Sequence, residues 1–141
     1  MKIEEQVLSR EQMTHLMELG VDTSDASMAW FMSPKTNKWR IKVKNDFLHE
    51  LLLKLSPERY IPTFTTGDLI DILPKRTGDD WFATWLDIAF DERAVSYCDK
   101  EEYEKFRYDY SCDLDKMCLK DALYDALCWV AENHRDLMNK T

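Results

Sequence analysis

Apolar residues recur along this chain with two periods, near 3.6 and near 2, and those periods predict most of its elements. The longest helical pattern runs from Leu119 to Asn133. Leu119, Ala122, Leu123, Ala126, Leu127 and Val130 recur at three- and four-residue spacing and so fall on one stripe, while Asp121, Asp125 and Glu132 fall opposite. A core helix ending near His134 is expected there, with the rest of the chain built to cover its stripe. A second helix is marked by its punctuation. Ser9 and Gln12 make an S-x-x-Q capping box, Leu8 and Met13 are placed for a hydrophobic staple, Met13, Leu16 and Met17 share a face, and Gly20 supplies the left-handed stop. Two more helices are expected. One begins at Asn45-Asp46 and carries Phe47, Leu48, Leu51, Leu52 and Leu55. A short one has Thr65 as N-cap, Asp68 three residues on, and Leu69, Ile70, Ile72 and Leu73 ahead of Pro74.

Period 2 governs the strands. Trp39-Arg40-Ile41-Lys42-Val43-Lys44 alternates strictly, apolar on one face and cationic on the other, and Lys38–Lys44 pairs as a hairpin with Ala26–Ser33 across the Lys35–Lys38 turn. Trp39 is expected to face the core. Trp81 to Phe90 reads as a strand with Phe82, Thr84, Leu86, Ile88 and Phe90 on its core-like face, returning through Ala94–Cys98 as a second hairpin. Residues 56–64 read as a loop through Tyr60 and Pro62, and Lys75–Asp80 as a polar turn. Asp99 to Asp115 carries both signals and is assigned as a helix capped by Asp99, because Tyr103, Phe106 and Tyr110 share a helical face. The expected fold is α+β: an antiparallel sheet of about four strands, formed by two hairpins, packed against helices and dominated by a long C-terminal helix. Residues 1–141 are expected to form a single domain.

Composition narrows the function classes. The chain is 45% hydrophobic with 12% aromatic residues, which argues against disorder. No apolar run approaches the about 18 residues of a membrane span, and the charged start MKIEEQVLSREQ lacks a signal-peptide core, so a cytoplasmic protein with no membrane association is expected. The net charge of −8 is local. Residues 1–78 hold eleven basic and eleven acidic side chains, residues 79–125 hold fourteen acidic and six basic, and residues 126–141 two of each. A neutral first half and an acidic second half argue against a general nucleic-acid binder.

Motifs of chemistry are missing. Cys98, Cys112, Cys118 and Cys128 make no C-x-x-C and read as free thiols. The helix face Asp121, Asp125, Cys128 and Glu132 is the most compact cluster of potential ligands, but it lacks the Glu-x-x-His pairs of carboxylate-bridged bundles, and its carboxylates would raise a Cys128 thiol away from activation. His15, His49 and His134 fit no zinc pattern, and three glycines provide no phosphate loop. No catalytic, cofactor-binding or metal-binding residue is nominated, and the chain is read as non-enzymatic.

Two surfaces remain. Trp81, Trp85, Tyr103, Tyr108 and Tyr110 crowd the acidic stretch, and Trp and Tyr are the side chains that anchor protein interfaces. They define the expected face for an unidentified protein partner or a homodimer. Lys35, Lys38, Arg40, Lys42 and Lys44 form the one basic feature. They are the alternative, a nucleic-acid contact, against the simpler reading of a solvated strand face protected by lysines. Three stretches, EQMTHLMELGVDTSDASMAW, PTFTTGDLIDILPK and DALYDALCWVAEN, together resemble small uncharacterised proteins of Bacteroides-type bacteria found near prophage and mobile-element genes. That resemblance implies an accessory role, phage-derived, and brings no activity, cofactor or site residue.

Overall fold

The computed structural model describes residues 2–45, 51–52, 54, 56–77, 84–89, 93–99 and 107–138. The chain divides into two compact units, Met1–Asp68 and Leu69–Thr141. The elements are α+β throughout, with antiparallel sheets packed against helices and a fifteen-residue C-terminal helix.

The first unit is a three-stranded antiparallel sheet, β1 (Met28–Met32), β2 (Trp39–Val43) and β3 (Tyr60–Thr63), in the order β2-β1-β3, with helix α1 (Arg10–Glu18) against β3. Helix α1 starts where the capping box predicts. The Gln12 amide donates to Ser9 Oγ at 3.1 Å, and Gln12 Oε1 accepts from the Ser9 amide at 2.9 Å. It stops in a Schellman turn, with the Val21 amide donating to the Leu16 carbonyl and that of Gly20 to Met17, Gly20 standing at φ +86°. Leu8 and Met13, the expected staple pair, are both fully buried.

The hairpin β1–β2 forms as expected, with Asn37 taking the left-handed position of its turn. Tyr60–Thr63, read from sequence as loop, is instead the third strand. Hydrogen-bond parity explains why it tolerates Pro62. Lys44 donates to the Ser27 carbonyl and Ser33 to that of Lys38, so Ala29, paired with Lys42, turns its own polar groups toward β2. Pro62 therefore meets Ala29 as a non-hydrogen-bonded pair, and its missing N–H faces the outer edge. The helix expected from Asn45 to Leu55 lies mostly outside the described residues; Leu51, Leu52 and Lys54 are helical.

Helix α2 (Thr66–Ile72) carries the second predicted cap. Asp68 accepts from the Thr65 amide at 3.0 Å, and Thr65 Oγ1 accepts from the Asp68 amide at 3.1 Å. The same carboxylate accepts from the Ser27 amide at 2.9 Å and its hydroxyl at 2.5 Å, tying the start of β1 to this helix end. Asp68→Ala removes a cap and a tie together, and a loss of about 2 kcal/mol is expected in urea unfolding. In a double-mutant cycle with Ser27→Ala, coupling of about 1 kcal/mol is expected; strict additivity would mean the tie contributes nothing.

The second unit is a four-stranded antiparallel sheet in the order β4-β5-β6-β7: β4 (Arg76–Thr77), β5 (Thr84–Ala89), β6 (Ala94–Asp99) and β7 (Arg107–Asp113). The expected second hairpin is β5–β6. The helix read over Asp99–Asp115 is overturned where the residues are described: β6 runs through Asp99, and Arg107–Asp113 is a strand paired with it. Arg107, Asp109, Ser111 and Asp113 alternate there with Tyr108, Tyr110 and Cys112, and the pairing that this period allows wins over a helix whose stripe was only three residues deep. Lys75–Asp80 likewise contains the two-residue β4 rather than only a turn; in it Thr77 faces Thr84, and their buried hydroxyls share one hydrogen bond of 2.5 Å, one donating and the other accepting.

Helix α3 (Leu119–Asn133) packs on β6 and β7, and the short α4 (Arg135–Met138) follows it. Ala122, Leu123, Ala126, Leu127 and Val130 of the predicted stripe are completely buried, with Leu119 partly exposed at the start. Among the described residues no helix is long and apolar enough to cross a membrane.

Candidate interaction surfaces

The register of the four-stranded sheet decides which side chains meet α3. Ile88 pairs with Val95, Leu86 with Tyr97 and Tyr97 with Tyr110, so these side chains share one face, and α3 covers it. Tyr97 and Tyr110 both pack on Trp129 of the helix, with ring centroids 5.4 and 5.3 Å away, and His134 approaches Trp129 at 5.1 Å. Tyr97 is fully buried and donates to the Pro74 carbonyl at 2.7 Å. Tyr110 donates to Asp125 Oδ2 at 2.5 Å.

This cluster is built to hold protons. Burial pushes the Tyr110 phenol well above its ordinary range, and its bond to Asp125 adds to that. Burial raises Tyr97 too, and burial followed by a bond to Cys128 raises Tyr124. The Cys128 thiol is pushed up to about 11, chiefly by burial, with the Asp125 and Glu132 charges adding and the Tyr124 hydroxyl opposing. The direction agrees with the sequence reading of that face, although burial outweighs the carboxylates. Cys112 is raised by burial as well. All four cysteines are free thiols. Among the described residues no three metal-ligating side chains come together.

Of the expected aromatic face, Trp81 and Tyr103 lie outside the described residues, and Tyr108 is described only through its backbone, paired with Cys98 across a register shift. Tyr110 is half-buried in the framework just described. Trp85 lies on the sheet face away from α3; it is 40% exposed, with the Arg76 guanidinium 5.7 Å from its ring centre. Sequence reasoning missed Trp129. Its signal was present, since Trp129 lies three positions after Ala126 and seven after Ala122, on the flank of the apolar stripe.

The five candidate basic residues, Lys35, Lys38, Arg40, Lys42 and Lys44, all belong to the first unit. Lys35 and Lys38 in the turn and Arg40 and Lys42 on β2 are exposed, whereas Lys44 is half-buried with its ammonium on the Ser24 carbonyl. Trp39 is half-buried under the Arg10 guanidinium, 4.7 Å from its ring centre. Lys42 lies over the Phe31 ring at 4.8 Å. Beside them opens a cleft of ≈ 240 Å³ whose lining includes Ala29, Phe31, Val43, Leu52 and Tyr60. The cationic face of β2 thus continues across the sheet into apolar side chains, of which Ala29 and Tyr60 are buried.

Compared with known proteins, the chain matches no family model, no curated protein and no solved structure.

Proposed function

We propose that this chain is a non-enzymatic protein-interaction module, with Trp85 as an anchor of its binding face. The observation that carries this reading is the exposure of Trp85 on a sheet whose other face is occupied by α3. An amphipathic indole held on a strand gives a partner contact area at little entropic cost, and such residues dominate binding energy. The chemistry of the described groups points the same way. Burial holds the Cys112 and Cys128 thiols and the Tyr97, Tyr110 and Tyr124 phenols in their protonated forms, the reverse of what nucleophilic or general-base work requires.

The partner is a protein surface or a second copy of the chain. Trp85→Ala is expected to weaken that association by about thirtyfold, the scale of an interface anchor, with thermal unfolding unchanged. Sedimentation over a wide concentration range reads self-association, and affinity capture followed by titration of the purified partner reads the heterotypic case. A monomer at all concentrations together with no partner whose affinity depends on Trp85 sinks the reading.

A further inference from the structure

Strand β2 ends its sheet: among the described residues no strand pairs with its outer side. The parity of the ladder fixes what that edge offers. Arg40 and Lys42 turn their backbone groups toward β1, as do the Lys38 carbonyl and the Lys44 amide, because Ser33 donates to Lys38 and Lys44 to Ser27 at the two ends of one register. Trp39, Ile41 and Val43 therefore turn their N–H and C=O groups outward. Their side chains share the face packed by α1, but the packing runs out along the strand: Trp39 and Ile41 are half-buried, and Val43 is 76% exposed. Arg40 and Lys42 stand exposed on the opposite face.

We propose that the outer edge of β2 accepts an added antiparallel strand from a partner polypeptide in which acidic and apolar residues alternate. Main-chain bonds form at Trp39, Ile41 and Val43, as in other strand-addition complexes. The partner's residues opposite Arg40 and Lys42 then sit in non-hydrogen-bonded pairs, the positions where side chains approach most closely, so acids are selected there. Apolar residues are selected opposite Ile41 and Val43, where exposed apolar surface is waiting to be covered.

A second copy of β2 does not fit the same edge. An outward-facing residue pairs only with another outward-facing residue, so every antiparallel register of β2 against itself sets cations against cations. Centred on Ile41, Arg40 meets Lys42; centred on Arg40, it meets itself and Lys38 meets Lys42. Like charges directly opposite destabilise a sheet. The lysine and arginine row thus blocks self-pairing, as edge cations do, and the same row favours an acidic strand. This surface is separate from Trp85, and its test does not pass through that residue.

The probe is a fluorescent peptide with a Val-Glu-Val-Glu-Val centre, titrated against the full chain at low salt. Three comparisons accompany it: a peptide of the same composition with the alternation scrambled, a Val-Lys-Val-Lys-Val peptide, and a single-stranded oligonucleotide of similar length. The alternating acidic peptide is expected to bind at least tenfold more tightly than the scrambled one. Arg40→Glu with Lys42→Glu is expected to weaken it by about tenfold or more and to transfer binding to the lysine peptide. Val43→Pro removes one outward donor at an exposed edge position where proline is tolerated, and is expected to weaken binding while leaving the circular dichroism and melting temperature unchanged. Equal binding of the scrambled peptide overturns strand addition. So does no binding of the acidic peptide at millimolar concentration. An oligonucleotide that binds more tightly than the peptide and is lost on charge reversal reassigns the edge to nucleic acid.

Discussion

Tyr97→Ala is expected to cost the chain about 3–5 kcal/mol of stability, by analogy with other large aromatic truncations in cores. Tyr97 is completely buried, pairs with Leu86 on one side and Tyr110 on the other, and stacks on Trp129. It is the side chain through which three strands and α3 share one contact. Tyr97→Phe separates ring from hydroxyl. The ring stays, but the Pro74 carbonyl loses its 2.7 Å donor, and a loss of about 1–3 kcal/mol is expected. Urea unfolding of both variants, followed by tryptophan fluorescence, measures the two parts. A Phe variant as stable as the parent would show that the bond to Pro74 contributes nothing, and an Ala variant within 1 kcal/mol of it would remove Tyr97 from the core.

What the sequence made legible was local. The Ser9/Gln12 and Thr65/Asp68 boxes are closed by residues three apart, so nothing distant can change them, and both are present. The α3 stripe was deep enough, at six positions, to survive any tertiary context. The hairpin β1–β2 followed from strict alternation. Strand β3 was missed because its four residues include Pro62, and a proline reads as a break unless the ladder's parity is known. That parity depends on β1, thirty residues away. Strand β7 was missed because aromatic residues three or four apart satisfy a helix as well as a strand, and only pairing with β6 decides. The two hairpins also join different sheets, which periodicity does not encode.

The candidate surfaces were legible in type more than in place. The cation row was readable from its alternation, but that β2 is an edge is a matter of topology. Tyr110 looked like a member of an aromatic surface; its position opposite Tyr97 instead puts it beneath Trp129 and within reach of Asp125. Trp85, one strand across and on the alternate face, is 40% exposed.

Alkylation of the four thiols is expected to separate them by a wide margin, with Cys118 first and Cys128 markedly delayed. Cys118 is exposed just before α3, whereas Cys128 is half-buried with its thiol raised from 9.0 to about 11. At pH 8 that shift leaves Cys128 with roughly a hundredfold less thiolate than an ordinary thiol. Its greater basicity returns a little under tenfold in nucleophilicity, so the net delay is about tenfold before burial adds its own barrier. Peptide mass spectrometry of iodoacetamide time courses at pH 8 and pH 10 reads this directly, and a Cys128 that reacts as fast as Cys118 at pH 8 contradicts the buried setting. The same shift makes a stability prediction of definite sign. The unfolded chain loses the Cys128 proton near pH 9 while the folded chain keeps it to about 11, so between those values the folded state binds more protons and stability falls as pH rises. Because the thiol is only half-buried, solvent screening reduces the full conversion of about 2.7 kcal/mol to about 1 kcal/mol. Cys128→Ala is expected to shrink the loss measured between pH 9 and 11 by at least that amount, because it also removes the Tyr124 bond to Cys128, leaving the part that belongs to Tyr97, Tyr110 and Cys112, which are raised in the same direction.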